Sequence, residues 1–308
     1  MQWGQIKTLF ILSFLILNVY LFIQFIDKLE ETDLGILEEE TSTIDERLED
    51  ENITYTELPE EQAQEPYISV NRKAFTEEEF SLFNDFKNQE TVLIDKNFVV
   101  SLFDKPVPIP AKDSESVIED FVKKTFIYPD EYVLWDWNKE LNVLVFFQEK
   151  NERPIYFNQS GIILVFLNDK DEMLFYTQTM LGEADSLQDK KRLIKPMKAI
   201  EALYNARELR AKDNITQIHI GFHTRVPLAD GVQVFVPAWK ITVNDERNYF
   251  VNAIEGFVFT SNEFNFLKES IEYDVKRVET MKGKQDFKTR VLKLLNEQLE
   301  AIDRGEIE

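Results

Sequence analysis

The chain has 308 residues, of which 44% are hydrophobic and 13% aromatic, so it can bury a sizeable core. Its formal net charge is −22, and no stripe of Lys and Arg is present, which argues against a nucleic-acid-binding surface. Because the chain has no cysteine, disulfide bonds, thiolate catalysis and cysteine-based metal sites are excluded.

The first distinctive segment is the run from Leu9 to Ile26, which contains eighteen residues without a charge. As an α-helix it would extend about 27 Å, close to the ~30 Å hydrocarbon core of a bilayer. The pattern predicts a transmembrane helix over residues 8–26, with a cytoplasmic N-terminus over residues 1–7 and the bulk of the chain outside the membrane. The run is longer than the apolar region of a cleaved signal peptide, and no small-x-small site follows, so we expect a retained anchor.

Two amides lie within this predicted helix, Asn18 near its centre and Gln24 near its end. An unsatisfied amide in hydrocarbon is costly, so each is a candidate for a hydrogen bond to a neighbouring helix. For Gln24 the alternative is a place at the membrane–water interface. The predicted transmembrane partner interface consists of Phe14, Leu17, Asn18, Leu21, Gln24 and Phe25.

An acidic segment follows the predicted anchor. Residues 27–65 contain sixteen acidic and two basic side chains, which accounts for most of the net charge. We interpret residues 27–51 as a solvated, partly helical tether. Anionic headgroups would repel this tether and keep the following domain away from the membrane surface.

From residue 52 the pattern predicts an exported α+β domain with two lobes of helix plus antiparallel sheet, over residues 52–181 and 182–308. In the first lobe, Thr76 and Glu79 form a predicted capping box for a helix that ends near Asn88. A strand is predicted from Thr91 to Phe103, and a hairpin turn at residues 169–171.

In the second lobe, a helix is predicted from Leu187 to Ala211, in which Pro196 either makes a kink or begins a new segment. Strands follow, with a turn at Glu255–Gly256. The chain is predicted to end in helices, the last of them from Asp286 to Ile302.

Candidate chemistry is sparse. The two histidines, His219 and His223, face the same side of a predicted strand but lie about 13 Å apart, too far for one metal ion unless the chain bulges at Gly221. We therefore favour a structural role for both. No nucleophile elbow or glycine-rich phosphate loop is present, and the abundant carboxylates indicate nothing without geometry. We expect neither an enzyme nor a cofactor.

Four segments carry a resemblance to a known family. They are the opening MQWGQIKTLFILSFLILNVYLFIQF, the spacer that ends in NITYTELPEE, the YISV segment and the C-terminal PAWKITV…NYFVNAIEGFV. Together they resemble the YycI family, of the YycH/YycI group in Firmicutes, over essentially the whole chain. The segment from Tyr249 to Gly256 also resembles PepSY-type modules.

The resemblance implies a function. Proteins of this family act with a YycH-like single-pass protein on the WalK (YycG) sensor histidine kinase, which controls cell-wall metabolism, and the contact through transmembrane helices is held to set kinase activity. A second hypothesis stays open, namely an exported ligand- or wall-binding module in which the anchor is only a tether. An enzyme is a more distant third.

Overall fold

The computed structural model of the chain describes residues 3–33, 43–59, 64–187, 190–227, 231–259 and 262–303. It divides into two compact units, Met1–Asp50 and Glu51–Glu308.

The first unit contains two helices, α1 (Trp3–Asp33) and α2 (Ile44–Asp50). Helix α1 includes the whole segment predicted to span a membrane and continues into the predicted tether. In the described part of the chain, no helix is long and apolar enough to cross a membrane. The predicted transmembrane helix therefore stays a prediction.

The second unit is a mixed α+β fold, which confirms the predicted class. Its described helices are α3 (Glu77–Ser81), α4 (Glu115–Lys123), α5 (Pro196–Asn205), α6 (Glu263–Thr280) and α7 (Gln285–Asp303). Its described strands are β1 (Thr54–Tyr55), β2 (Ile68–Arg72), β3 (Gln89–Ile94), β4 (Phe98–Pro108), β5 (Tyr132–Asn138), β6 (Val143–Lys150), β7 (Arg153–Tyr156), β8 (Ile162–Leu167), β9 (Glu172–Thr179), β10 (Leu181–Ser186), β11 (Asn214–Pro227), β12 (Val232–Val243), β13 (Arg247–Asn252) and β14 (Val258–Phe259).

These strands form one sheet, in the order β10-β2-β12-β11-β7-β6-β8-β9-β4-β3. Four strands extend it at the sides, since β1 pairs with β11, β5 with β6, β13 with β12, and β14 with β13. Among the described pairings, β1–β11 and β7–β11 are parallel and the others are antiparallel. The sheet is therefore dominated by antiparallel pairs, as short strands joined by polar turns predicted.

The two predicted lobes are joined through β7. This strand forms a hairpin with β6 on one side and pairs with residues 222–223 of β11 on the other. Residues 51–308 accordingly form a single compact unit, and the predicted boundary at residues 181/182 falls inside it. The division into two lobes stays a prediction, and the sequence did not show that β7 pairs at both of its edges.

Helices cover both faces of the β4–β6–β8–β9 region. On one face, α6 and α7 pack against Val100, Val145, Leu164 and Phe166. On the other face, α4 packs against Phe146, Ile163 and Val165. Because both faces are buried, β8 and the first five residues of β6 are apolar at every position instead of alternating.

Several local predictions are confirmed. Thr76 and Glu79 form the capping box at the start of α3. The turn at residues 169–171 joins β8 to β9, and α7 matches the predicted final helix to within one residue at each end. Helix α5 begins at Pro196, so that proline starts a new segment.

Three other predictions were wrong. The helix predicted to reach Asn88 ends at Ser81 and continues as a 3₁₀ helix over Leu82–Asp85. The three-residue spacing of its phenylalanines fits three residues per turn better than 3.6. The strand predicted from Thr91 to Phe103 is the hairpin β3–β4, which turns at Asp95 and Lys96, both with positive φ. The helix predicted from Leu187 to Ala211 is likewise shorter in the structure. It consists of α5, and strand β10 precedes it in the chain.

Candidate functional site

Five of the six residues of the predicted partner interface have described side chains in α1. Phe14, Leu17, Asn18, Leu21 and Gln24 are all exposed. At 3.6 residues per turn they cover an arc of about 120° on one side of the helix. The side chain of Phe25 lies outside the described residues. The helix therefore presents one continuous face to which a second helix has access.

The two amides of this face have different surroundings. Gln24 Nε2 donates a hydrogen bond to the Tyr20 hydroxyl at 3.2 Å, one turn earlier in the same helix. Asn18 has no side-chain hydrogen-bond partner among the described residues. Of the two amides, Asn18 is thus the one whose hydrogen-bonding capacity is available to another helix.

Asn18 also borders a shallow depression that the sequence prediction did not include. Its lining comprises Phe10, Ile11, Phe14, Leu15, Asn18, Val19 and Phe22. Around the helix axis, Asn18 lies near the middle of the residues that line this depression. It lies at one edge of the predicted interface. The accessible apolar surface around Asn18 therefore extends further toward Leu15 than we predicted.

The two histidines lie on β11 in different environments. The ladder between β11 and β12 is regular from Gln217 to Thr224, so no bulge at Gly221 brings them together. His219 is exposed opposite Lys240, whereas the ring of His223 stacks on Phe259 with centroids 4.1 Å apart. Burial lowers the pKa of His223 to about 4. His223 is thus a neutral member of an aromatic cluster at neutral pH.

A group of charged side chains surrounds the start of α6. A β-bulge in β5 makes Trp135 the extra residue opposite β6 and directs its ring into the aromatic cluster, 5.3 Å from Tyr156. Lys240 Nζ lies 4.1 Å from the centroid of the Trp135 ring, and Trp135 Nε1 donates to Glu263 Oε2 at 3.1 Å. Glu263 is the first residue of α6.

The carboxyl group of Glu263 also contacts another carboxyl group. Asp136, the residue after the bulge, is within hydrogen-bonding distance of it. Burial raises the pKa of Asp136, even though part of this residue is exposed. Burial, together with the negative charge of Asp136, raises the pKa of Glu263. Two carboxylates in contact repel each other, so this pair holds a proton more tightly than an isolated carboxylate would.

A second buried acid lies further along α6. Asp274 is only 6% exposed, and burial raises its pKa to about 7, although the Thr177 hydroxyl and the nearby Arg277 favour its ionised form. In the described part of the chain Asp274 forms no ion pair. Arg277 instead donates a hydrogen bond to Asn97 and lies 4.2 Å above the ring of Phe98.

The sequence prediction did not include the Asp136–Glu263 pair or Asp274. The sequence does contain one signal for Asp274. Asp274 and Arg277 interrupt the apolar stripe of Leu267, Ile271 and Val278, which a solvent-exposed helix face would not explain. The contact of Asp136 with Glu263 joins residues far apart in sequence and depends on a bulge, so no local pattern predicts it. Among the described residues no group of three or more His, Asp or Glu side chains could hold a metal ion.

Comparisons with known proteins place the chain in a family. None of the curated proteins matches it. Among solved structures it is similar to an uncharacterized protein from Eubacterium rectale, at 9% identity over 68% of this chain and 91% of the other, with a TM-score of 0.42. The family model described as YycI protein matches residues 32–254, most of the chain. The chain therefore belongs to the YycI family.

Proposed function

We propose that this protein is a non-catalytic, membrane-anchored regulator of a WalK (YycG)-like sensor histidine kinase that controls cell-wall metabolism. It acts together with a YycH-like single-pass protein. The match to YycI over residues 32–254 carries the proposal, because that family is regulatory, non-catalytic and membrane-associated.

The proposed topology has residues 1–7 in the cytoplasm, 8–26 in the bilayer, and the tether 27–51 and the folded unit outside the cell membrane. Its support is the uncharged run from Leu9 to Ile26 with Lys7 on one side and Asp27 on the other, inside the continuous helix α1. Through this arrangement the protein contacts its partners in two places, at the membrane helix and outside the membrane.

Within the bilayer, the proposed contact is the face that carries Asn18. An amide in hydrocarbon gains most by bonding to a polar group of a neighbouring helix, since no water is available to satisfy it. Phe14, Leu17 and Leu21 flank Asn18 and provide the apolar surface for packing. Asn18 gives the contact its specificity, and the apolar side chains give it area.

The test is Asn18→Leu, with Gln24→Leu as its matched control. The first change should weaken association with the kinase or the YycH-like partner by about 1 kcal/mol, roughly fivefold in occupancy, because interhelical amide bonds are modest even in lipid. The second should have a smaller effect, because the Gln24 amide already bonds to Tyr20. Crosslinking yield or a membrane two-hybrid assay measures both.

A further variant replaces Leu9–Ile26 by an unrelated apolar helix of equal length. If this replacement regulates the kinase as well as wild type, the anchor is only a tether, and the protein is instead an exported ligand- or wall-binding module. If the replacement fails while Asn18→Leu is silent, packing of the apolar side chains carries the specificity, and Asn18 is the wrong residue.

A further inference from the structure

The face of α6 that packs on the sheet carries two carboxyl groups. Neither forms a salt bridge with a Lys or Arg side chain among the described residues. Glu263 and Asp274 are eleven residues apart, about three helical turns, so they point to the same side of the helix. Glu263 contacts Asp136 of β5, and Asp274 faces Thr177 of β9. The helix is therefore held on the sheet at two positions by groups that can gain or lose a proton.

We propose that α6 is a proton-dependent latch, which lies closed on the sheet while Asp274 and Glu263 carry protons and opens more often once they ionise. The proposal concerns the folded unit alone and does not depend on the function of α1.

At Asp274 the surrounding charges cannot compensate for ionisation in the closed state. Arg277, the nearest cation, donates to Asn97 and stacks on Phe98. Arg72 of β2 is occupied as well, since its guanidinium donates to the Ser160 hydroxyl at 2.7 Å and to the Tyr273 hydroxyl at 2.9 Å. The other titratable groups that act on Arg277 are Tyr273 and Asp95 of the β3–β4 turn, and neither adds a positive charge. A buried carboxylate without a paired cation is costly, so the closed helix favours the neutral acid.

At Glu263 the arrangement has the same consequence. The groups that face it are Asp136, Lys240 of β12 and the Trp135 N–H, with Glu115 of α4 acting on Asp136 and Lys240. One cation therefore faces three carboxylates, and its ammonium group already lies against the Trp135 ring. The first turn of α6 is thus most stable when the Asp136–Glu263 pair retains one proton.

The direction of the pH effect follows from proton linkage. In the closed helix the pKa of Asp274 is about 7, whereas in an open helix the hydrated carboxyl returns toward 3.8. The closed state binds more protons, so its stability is greatest at low pH and falls as the pH rises toward 7. With these values the open population rises about tenfold between pH 6 and pH 8 and changes little above pH 8.

The experiment is amide hydrogen exchange of the full chain in detergent micelles from pH 5 to pH 9, with each rate divided by its intrinsic rate. In wild type, opening of α6 should increase about tenfold from pH 6 to pH 8, while amides of β6 and β8 stay unchanged. Asp274→Asn should abolish most of this dependence without loss of the fold, since Asn resembles the neutral acid. Glu263→Gln should reduce it in the first turn of α6.

Glu269→Gln, on the exposed side of the same helix, is the matched control and should keep the wild-type profile. A flat profile in wild type overturns the proposal. So does a pH-dependent profile that survives in Asp274→Asn and Glu263→Gln together, because opening would then be coupled to other groups.

Discussion

Gly221 illustrates how one missing side chain allows two parts of the sheet to meet. A Cβ atom at this position would lie 2.4 Å from Cε2 of Tyr156 and 2.8 Å from the carbonyl oxygen of Pro154. The second of these is backbone and cannot turn away. The parallel contact of β7 with β11 therefore requires glycine at residue 221.

Gly221→Ala should lower the stability of the folded unit by about 1–3 kcal/mol, the usual cost of overpacking a well-packed core. Gly182→Ala is the control, because its added methyl group would meet only Asn71 O at 3.4 Å, close to an ordinary contact. Thermal unfolding of the detergent-solubilised chain, followed by circular dichroism, compares the two. Equal melting temperatures for both variants would show that β7 can shift to accommodate a methyl group.

At the scale of elements, Glu79 connects α3 to its surroundings through three partners. Its carboxylate accepts from the Thr76 N–H at 2.8 Å and from the Tyr128 hydroxyl at 2.7 Å, and it pairs with Lys73 at 2.7 Å. Burial alone would raise the pKa of Glu79, but the bonds from Lys73, Thr76 and Tyr128 lower it to about 2. The ionised form thus fixes the start of the helix.

Glu79→Gln should destabilise the protein by about 1 kcal/mol at pH 7, a typical cost of losing a cap. Because the folded pKa lies below the unfolded one, the difference from wild type is present above pH 4.5 and should disappear as the pH falls toward 2. Glu77→Gln, exposed on the same helix, should be neutral. A constant difference at all pH values would mean that the charge of Glu79 is not what stabilises α3.

The elements differ in how far the sequence predicts them. The Thr76–Glu79 capping box, the new segment at Pro196 and the final helix follow from local sequence signals, and the structure confirms each of them. The β3–β4 turn was missed because Asp95 and Lys96 adopt positive φ without the glycine that usually marks such a turn. The contacts of Asp136 with Glu263 and of Thr177 with Asp274 were not predictable, because the sequence does not show which strand lies beneath α6.

For the whole molecule, the single sheet predicts that Glu51–Glu308 folds without residues 1–50. The apolar residues of this unit pack within it, on both faces of the sheet. Expressed alone, it should unfold in one cooperative thermal transition and show slow amide exchange in β6 and β8. Two separate transitions would instead support the predicted division at residues 181/182. Uniformly fast exchange would show that the unit depends on residues 1–50.

Strands β1 and β2 both pair with strands from much later in the chain, which has a consequence for the order in which the chain folds. Thr54 Oγ1 of β1 donates to Asn214 Oδ1, a residue 160 positions later, and β2 pairs with β12 and β10. During synthesis these first strands emerge long before β11 and β12 exist. They must remain unpaired until most of the protein has been made, and non-local pairing of this kind folds slowly and exposes strand edges to aggregation. The first described partner of β2 is β10, which begins at Leu181, and β1 pairs with β11, which begins at Asn214, so truncation before residue 181 leaves both early strands without their described partners.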